Sequence, residues 1–175
     1  SPPVDGGLNI TPISPTVLDV LTCQYSISDP DSDVLNLTTI WTDSAGTELG
    51  TSAMLDVSLT TLQPGDSVQC DASATDSDGA AVQNSESIVI ANTPPSVSNV
   101  AIAPLPTVGT VVGCTATVYD PDDQPLTTTY AWTNESTGQS LGTSASIILT
   151  GSQVSEGDVI RCALTVVDSY GEVAV

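Results

Sequence analysis

The sequence predicts an all-β protein made of two tandem antiparallel β-sandwiches, each crossed by one disulfide between its sheets. Three observations support this prediction. The 175-residue chain repeats itself after 91 to 92 residues, short segments alternate apolar and polar side chains, and each repeat carries two cysteines separated by a tryptophan. A repeat of this size with short strands has the dimensions of a small sandwich domain.

The internal repeat is visible in segments that return at a nearly constant distance. Cys23 returns as Cys114, 91 residues later, and Trp41 returns as Trp132. The segment LGTSA at 49–53 returns 92 residues later. One extra residue therefore lies between the tryptophan and LGTSA, where a hairpin loop can change length at little cost.

The segment ANTPPS (91–96) marks the joint, so the predicted domains are 1–92 and 93–175. The last strand of repeat 1 is predicted at SIVI (87–90). Only EVAV follows Gly171 in repeat 2, so the final strand of that repeat is expected to be truncated. We expect the chain to be cut from a longer one; the alternative is that a neighbouring subunit donates the strand.

Alternation with period 2 predicts the individual strands. Apolar side chains share one face in TVVGCTATVYD, LTTTYAWT and DVIRCALTVVD of repeat 2, and no segment has a convincing helical period. In repeat 1 the same alternation includes Leu21, Cys23, Tyr25, Ile27, Val68, Cys70, Ala72 and Ala74. The abundance of Thr, Val and Ile also favours strands.

The four cysteines are predicted to pair within repeats, because the alternation turns them all inward and the whole spacing is duplicated. The pairs are Cys23 with Cys70 and Cys114 with Cys162, packed over Trp41 and Trp132 respectively. Pairing across the repeats and four buried free thiols remain as alternatives. Disulfides form in oxidising compartments, so the protein is predicted to be exported, at the cell surface or extracellular.

The order Cys, Trp, Cys resembles an immunoglobulin-like domain, although Val68 and Ile160 stand where antibody-type domains carry a corner tyrosine. The segments NTPPSV, DPDDQPLTTTYAWT, LGTSASIIL and PGDSVQCDASATDSDG resemble tandem repeats of large bacterial surface proteins, of the polycystic-kidney-disease-type or bacterial cadherin-like class. The resemblance covers essentially the whole chain. It implies two tandem immunoglobulin-like sandwiches that serve as spacers, adhesin stalks or appendages of exported enzymes.

Two acidic loops lie at one end of an immunoglobulin-like sandwich, and we interpret them as a candidate Ca²⁺ site. Hard oxygen ligands from short acidic loops suit this ion, whereas ordinary solvated turns are the alternative interpretation. The candidate ligands of repeat 1 are Asp29, Asp31, Asp33, Asp76 and Asp78. Repeat 2 offers a thinner set, Asp120, Asp122, Asp123 and Asp168, with Tyr170 in place of Asp78 and with Asn92 as a further ligand at the joint.

Composition excludes several functions. The net charge is −20, His is absent and Arg161 is the only basic side chain. Serine–histidine triads, histidine zinc sites and a nucleic-acid-binding surface are therefore excluded, and we expect no enzyme activity and no nucleic-acid partner. No apolar run approaches about 18 residues, so we expect no membrane insertion.

The predicted function is structural: the repeats form a stiff, disulfide-stabilised spacer in an exported surface protein or an extracellular filament. Its expected partners are neighbouring repeats of the same chain or fibre. One alternative is an adhesin whose loops bind a surface glycan or protein, and another is an accessory module of an exported enzyme. An exposed aromatic platform would favour adhesion, whereas many further repeats would favour the spacer.

Overall fold

A computed structural model describes residues 1–175, and it divides the chain into two compact units, Ser1–Thr93 and Pro94–Val175. The division lies one residue beyond the predicted boundary. Both units are antiparallel β-sandwiches, and the two repeats have the same strand order. No helix is long and apolar enough to cross a membrane.

Repeat 1 contains seven strands in two sheets. The strands are β1 (Val4–Thr11), β2 (Val20–Ser28), β3 (Asn36–Asp43), β4 (Glu48–Gly50), β5 (Met54–Asp56), β6 (Ser67–Thr75) and β7 (Ala81–Val89). One sheet has the order β1-β2-β5 and the other β4-β3-β6-β7. A 3-10 turn at Val57–Leu59 follows β5, and Asp56 caps it by accepting a hydrogen bond from the Ser58 amide.

Repeat 2 reproduces this arrangement. Its strands are β8 (Ser96–Ala103), β9 (Val111–Tyr119), β10 (Thr127–Asn134), β11 (Gln139–Gly142), β12 (Ser146–Ile148), β13 (Ile160–Val167) and β14 (Val173–Ala174). The sheets have the orders β12-β9-β8 and β11-β10-β13-β14. The predicted extra residue lies in the β10–β11 hairpin, since Thr133 pairs with Ser140 whereas Thr42 pairs with Glu48 in repeat 1.

The alternation predicted from sequence is present in the cores. Along β6 every second residue is buried, and Val68, Cys70 and Ala74 have no exposed surface. Trp41 and Trp132 are likewise fully buried, and each belongs to the apolar core cluster of its own repeat. Removal of these faces from water is the main stabilising contribution to each sandwich.

The predicted disulfides are confirmed. Cys23 on β2 is joined to Cys70 on β6, and Cys114 on β9 to Cys162 on β13, with Cα–Cα distances of 6.4 and 6.2 Å. The chain has no free cysteine. Each bond links the two sheets of one sandwich beside a buried tryptophan on the third strand, which is the immunoglobulin-like arrangement.

The repeated LGTSA segment fastens the two sheets together through its backbone. In repeat 1 the Trp41 Nε1 donates to the Ser52 carbonyl at 2.8 Å, and the Cys23 amide donates to the Ala53 carbonyl at 2.8 Å. Repeat 2 makes the same pair of bonds from Trp132 and Cys114 to Ser144 and Ala145. In both repeats the segment therefore accepts hydrogen bonds from donors in both sheets.

The last strand of repeat 1 is longer than predicted. The sequence indicated SIVI (87–90), but β7 begins at Ala81 and pairs with β6 along its whole length, from Ala81 opposite Thr75 to Val89 opposite Ser67. Polar residues in QNSES interrupt the apolar alternation and concealed the first half of the strand. In repeat 2 only Val173 and Ala174 form the corresponding strand, opposite Val167 and Val166.

A polar contact in repeat 2 was not anticipated from the sequence. The fully buried Asn134 donates from Nδ2 to the Asp158 Oδ2 at 2.7 Å and to the Gln153 carbonyl at 3.1 Å. The Ser155 amide donates to the same carboxylate at 2.8 Å. These donors, the Ser155 amide first and then Asn134, hold the pKa of Asp158 below its usual range.

Acid is therefore expected to remove the contribution of Asp158 to stability. Because its pKa is lowered on folding, the contribution is complete above the unfolded-state pKa of about 3.9 and is lost as pH falls through the lower folded-state value. The difference in melting temperature between wild type and Asp158→Asn should be largest near neutral pH and should shrink below about pH 4. Glu156→Gln, which removes an exposed neighbouring charge and leaves the bonds to Asp158 in place, is the matched control. A difference for Asp158→Asn that is constant from neutral pH to pH 2 would contradict this assignment.

Candidate cation site

The two predicted acidic loops of repeat 1 lie at the same end of the sandwich. Asp29 directly follows β2, Asp33 lies in the loop before β3, and Asp76 directly follows β6. Because Asn36 at the start of β3 pairs with Thr75 at the end of β6, the chain brings the two loops together. The positions of these aspartates are thus set by strand ends and not by the loops alone.

Three carboxylates converge at this end of repeat 1. One oxygen from each of Asp29, Asp33 and Asp76 lies within 4.8 Å of the other two. Asp76 is 6% exposed, whereas Asp29 and Asp33 are half-buried. We call these three residues the aspartate triad.

One oxygen of each loop-initiating aspartate organises its turn. The Asp29 Oδ1 accepts from the amides of Asp31 and Asp33 at 2.8 and 3.2 Å. The Asp76 Oδ1 accepts from the amides of Asp78 and Ala80 at 3.0 and 2.8 Å. Turn formation therefore accounts for one oxygen of each side chain, as expected for aspartate in loops.

The second oxygens have no such role. The Oδ2 atoms of Asp29 and Asp76 are buried and have no hydrogen-bond partner. A buried carboxylate oxygen without a partner is costly, and neighbouring like charges add to that cost. Repeat 1 itself has no basic side chain that could relieve it.

Two other predicted ligands of repeat 1 lie outside the triad. Asp31 is exposed and accepts a hydrogen bond from the amine of Ser1. Asp78 is also exposed, and its amide serves the turn of Asp76. The structure thus brings together Asp29, Asp33 and Asp76 from the predicted set of five.

Repeat 2 has the same aspartate-to-amide hydrogen bonds in its turns, but it lacks a triad of converging carboxylates. The Asp120 Oδ1 accepts from the Asp122 amide at 2.8 Å, and the Asp168 Oδ1 accepts from the amides of Tyr170 and Glu172, both at 2.9 Å. Asp120, Asp122 and Asp168 are buried, Asp123 is exposed, and the Asp120 Oδ2 has no partner. No three carboxylates converge here as they do in repeat 1. The participation of Asn92 in a cation site remains a prediction.

Comparisons with known proteins add little. No protein-family model matches the chain, and no curated protein matches it. Among solved structures it is similar to the three N-terminal domains of the bacteriophage RB49 Highly Immunogenic Outer Capsid protein (Hoc), with 12% identity and a TM-score of 0.35. The alignment covers 98% of this chain and 64% of that chain, so this chain spans less than two thirds of the phage structure. At this level of similarity the match carries no argument about function.

Proposed function

We propose that the chain is a structural module of an exported protein, in which disulfide-stabilised sandwiches act as a spacer in a surface protein or extracellular fibre. The observation that carries the proposal is the bond between the two sheets of each sandwich. Such disulfides fit an extracellular or exported protein. The adhesin and the accessory enzyme module remain alternative predictions.

The disulfides have a direct mechanical consequence. Each encloses a segment, with sequence separations of 47 and 48 residues, that cannot be extended while the bond is intact. A pulled sandwich can then lengthen only through the residues outside its loop. A module built in this way limits its own extension under load, which is the property that a spacer requires.

Force spectroscopy on the whole chain tests this proposal. Oxidised protein, held at its termini, is expected to unfold with short extensions, refold repeatedly and resist proteolysis between pulls. Reduction should add about 160 Å of contour length per repeat, from about 3.4 Å for each released residue. Oxidised sandwiches that open at negligible force, or that fail to refold, would contradict a load-bearing role. Loop-dependent capture on a glycan array would instead support the adhesin.

We infer further that the aspartate triad binds Ca²⁺. The support comes from the buried, unpartnered Oδ2 atoms of Asp29 and Asp76, which lie in a group of three carboxylates in a repeat that has no Lys, Arg or His. Carboxylate oxygens are the ligands that Ca²⁺ takes, and the ion would offset their mutual repulsion. Further ligands in the usual six- to eightfold shell would come from backbone carbonyls and water.

Calcium is expected to stabilise repeat 1 measurably. If the ion binds only the folded state, free Ca²⁺ at about 100 times its dissociation constant adds about 2.7 kcal/mol to the free energy of unfolding. Asp76→Asn is the sharpest variant, because an amide oxygen can still accept the turn hydrogen bonds while the second oxygen is lost. In chelator the free energy of unfolding of this variant should equal or exceed that of the wild type. In Ca²⁺ the variant should not show the increase that the wild type shows.

The matched control is Asp78→Asn, which removes one exposed charge from the same loop and leaves the triad intact. It should keep the gain in stability that Ca²⁺ gives. Denaturant unfolding followed by hydrogen exchange assigns the effect to one repeat. Equal stability of wild-type repeat 1 in excess Ca²⁺ and in chelator would contradict the calcium proposal. It would not affect the spacer proposal.

A further inference from the structure

Repeat 1 has a cleft between its two sheets, beside the segment that joins β4 to β5. The volume of the cleft is about 620 Å³, and its walls include Tyr25 on β2, Leu37 and Thr39 on β3, and Ala72 on β6. Cys23 of the disulfide also lines it, so the cleft reaches the space between the sheets. A space of this size with mainly apolar walls has the dimensions of a binding pocket.

The strand edges next to the cleft are open. β3 pairs with β4 only at Trp41 and Thr42, so Asn36–Ile40 pair with β6 alone. On the other sheet, β5 covers β2 only from Val20 to Thr22. Both edges are open because β4 and β5 have three residues each and cannot cover longer strands. Free backbone donors and acceptors along an edge are what an added strand pairs with.

Leu37, on the open part of β3, is exposed although its side chain is on the core-facing side of the sheet. It lies directly opposite Ala74 on β6, which is fully buried. Opposite residues of an antiparallel pair point to the same face, yet 56% of the surface of Leu37 is exposed. An aliphatic side chain that faces a cleft in this way can bury further apolar surface when another chain enters.

Repeat 2 has the same four kinds of side chain at these positions, but in a different arrangement. By the internal repeat, the counterparts of Tyr25, Leu37, Thr39 and Ala72 are Ala116, Thr128, Tyr130 and Leu164. Leu164 is 4% exposed, and Tyr130 packs against the core. The leucine of repeat 2 is therefore inside the sandwich. In repeat 1 the small Ala72 leaves that space open, and the leucine stands at the wall of the cleft.

We propose that the cleft and the free edge of β3 bind an extended segment of a partner protein. The segment pairs with Asn36–Ile40 and places an aliphatic side chain in the cleft against Leu37 and Ala72. Main-chain hydrogen bonds to β3 supply affinity, and the cleft selects the side chain. This inference does not rest on the spacer role or on calcium.

Charge defines the rest of the occupant. Repeat 1 has no Lys, Arg or His, and Asp29 and Asp33 lie in the loop that leads into β3. A basic residue on the partner segment is attracted to this loop, whereas an acidic one is repelled. The site therefore favours a segment in which Lys or Arg flanks the aliphatic residue.

The probe is the capped peptide KTVTLTVTK, added to the whole chain in chelator and followed by calorimetry. We expect it to bind. The form with serine in place of leucine should bind at least about tenfold more weakly, because the cleft then receives a polar group. The form with glutamate in place of both lysines should also bind more weakly, and added salt should reduce that difference. Hydrogen exchange should slow within Asn36–Ile40 in the complex.

Two variants of the chain test the cleft itself. Ala72→Leu, which copies Leu164 of repeat 2, fills the cleft from inside and should weaken binding of the leucine peptide at least about tenfold. Leu37→Thr, which copies Thr128, keeps the free edge and should reduce the preference for leucine over serine. Leu59→Thr is the matched control, because Leu59 is 84% exposed and lies outside the cleft, and it should leave binding unchanged.

Several results would overturn the proposal. If the leucine peptide fails to bind at millimolar concentration, or binds no better than the serine peptide, the cleft does not select an apolar side chain. Dimers that protect Asn36–Ile40 without peptide would show that a second copy of the chain covers the edge. A neutral oligosaccharide that binds in the cleft when no peptide does would assign the site to a glycan. None of these results affects the spacer proposal, which rests on the disulfides, or the calcium proposal, which rests on the aspartate triad.

Discussion

Replacement of both Cys23 and Cys70 by alanine is expected to lower the free energy of unfolding of repeat 1 by about 4 kcal/mol. The disulfide spans a sequence separation of 47 residues, and its removal restores the entropy of that loop to the unfolded chain. The double replacement leaves no single buried thiol behind. A loss of this size is a large share of the stability of a small domain.

The measurement is denaturant unfolding, with hydrogen exchange used to assign the loss to one repeat. The assignment is needed because two separate sandwiches need not unfold in one transition. Repeat 2, with Cys114 and Cys162 intact, serves as the internal control and should keep its stability. The reciprocal Cys114→Ala, Cys162→Ala variant should reverse the pattern. A loss of less than about 1 kcal/mol in repeat 1 would show that the bond does little to stabilise the native state.

Trp132→Ala is expected to destabilise repeat 2 by about 3 to 5 kcal/mol, comparable to the loss of a disulfide. The indole is fully buried and packs in the core cluster that contains Cys114 and Cys162. Alanine leaves a cavity that the disulfide-linked sheets cannot close. The variant also removes the hydrogen bond from the indole nitrogen to the Ser144 carbonyl.

Trp132→Phe separates these two contributions. Phenylalanine keeps most of the apolar volume but cannot donate, so the part due to the Ser144 bond should be about 1 kcal/mol. Leu105→Ala is the surface control, since Leu105 is 84% exposed, and it should change stability by less than about 0.5 kcal/mol. A smaller loss for Trp132→Ala than for Trp132→Phe would contradict the packing argument.

The aspartate triad shows how much of a site the residue pattern can predict. Local sequence placed Asp29 and Asp76 at the start of tight turns, and their Oδ1 atoms form those turns. The selection of Asp33 over Asp31 as the third member of the triad was not predictable. Neighbouring residues in a loop point in different directions, and their convergence with Asp76 depends on how β3 pairs with β6.

The same limit applies to the edge of each sandwich. The sequence predicted four residues of β7, whereas pairing with β6 extends the strand to nine. An edge strand with polar residues on both faces has little alternation of its own, because backbone hydrogen bonds hold it and burial contributes less.

The sequence alone predicted the duplication, the strand faces, the burial of both tryptophans and the within-repeat pairing of the four cysteines. These features follow from period-2 alternation and from a spacing that occurs twice, and both are properties of short stretches of chain. Only the tertiary structure decided which three aspartates converge, how the LGTSA backbone serves both sheets and how far β7 extends along β6. Those features depend on contacts between residues distant in sequence, whose geometry is set by strand pairing and sheet packing together.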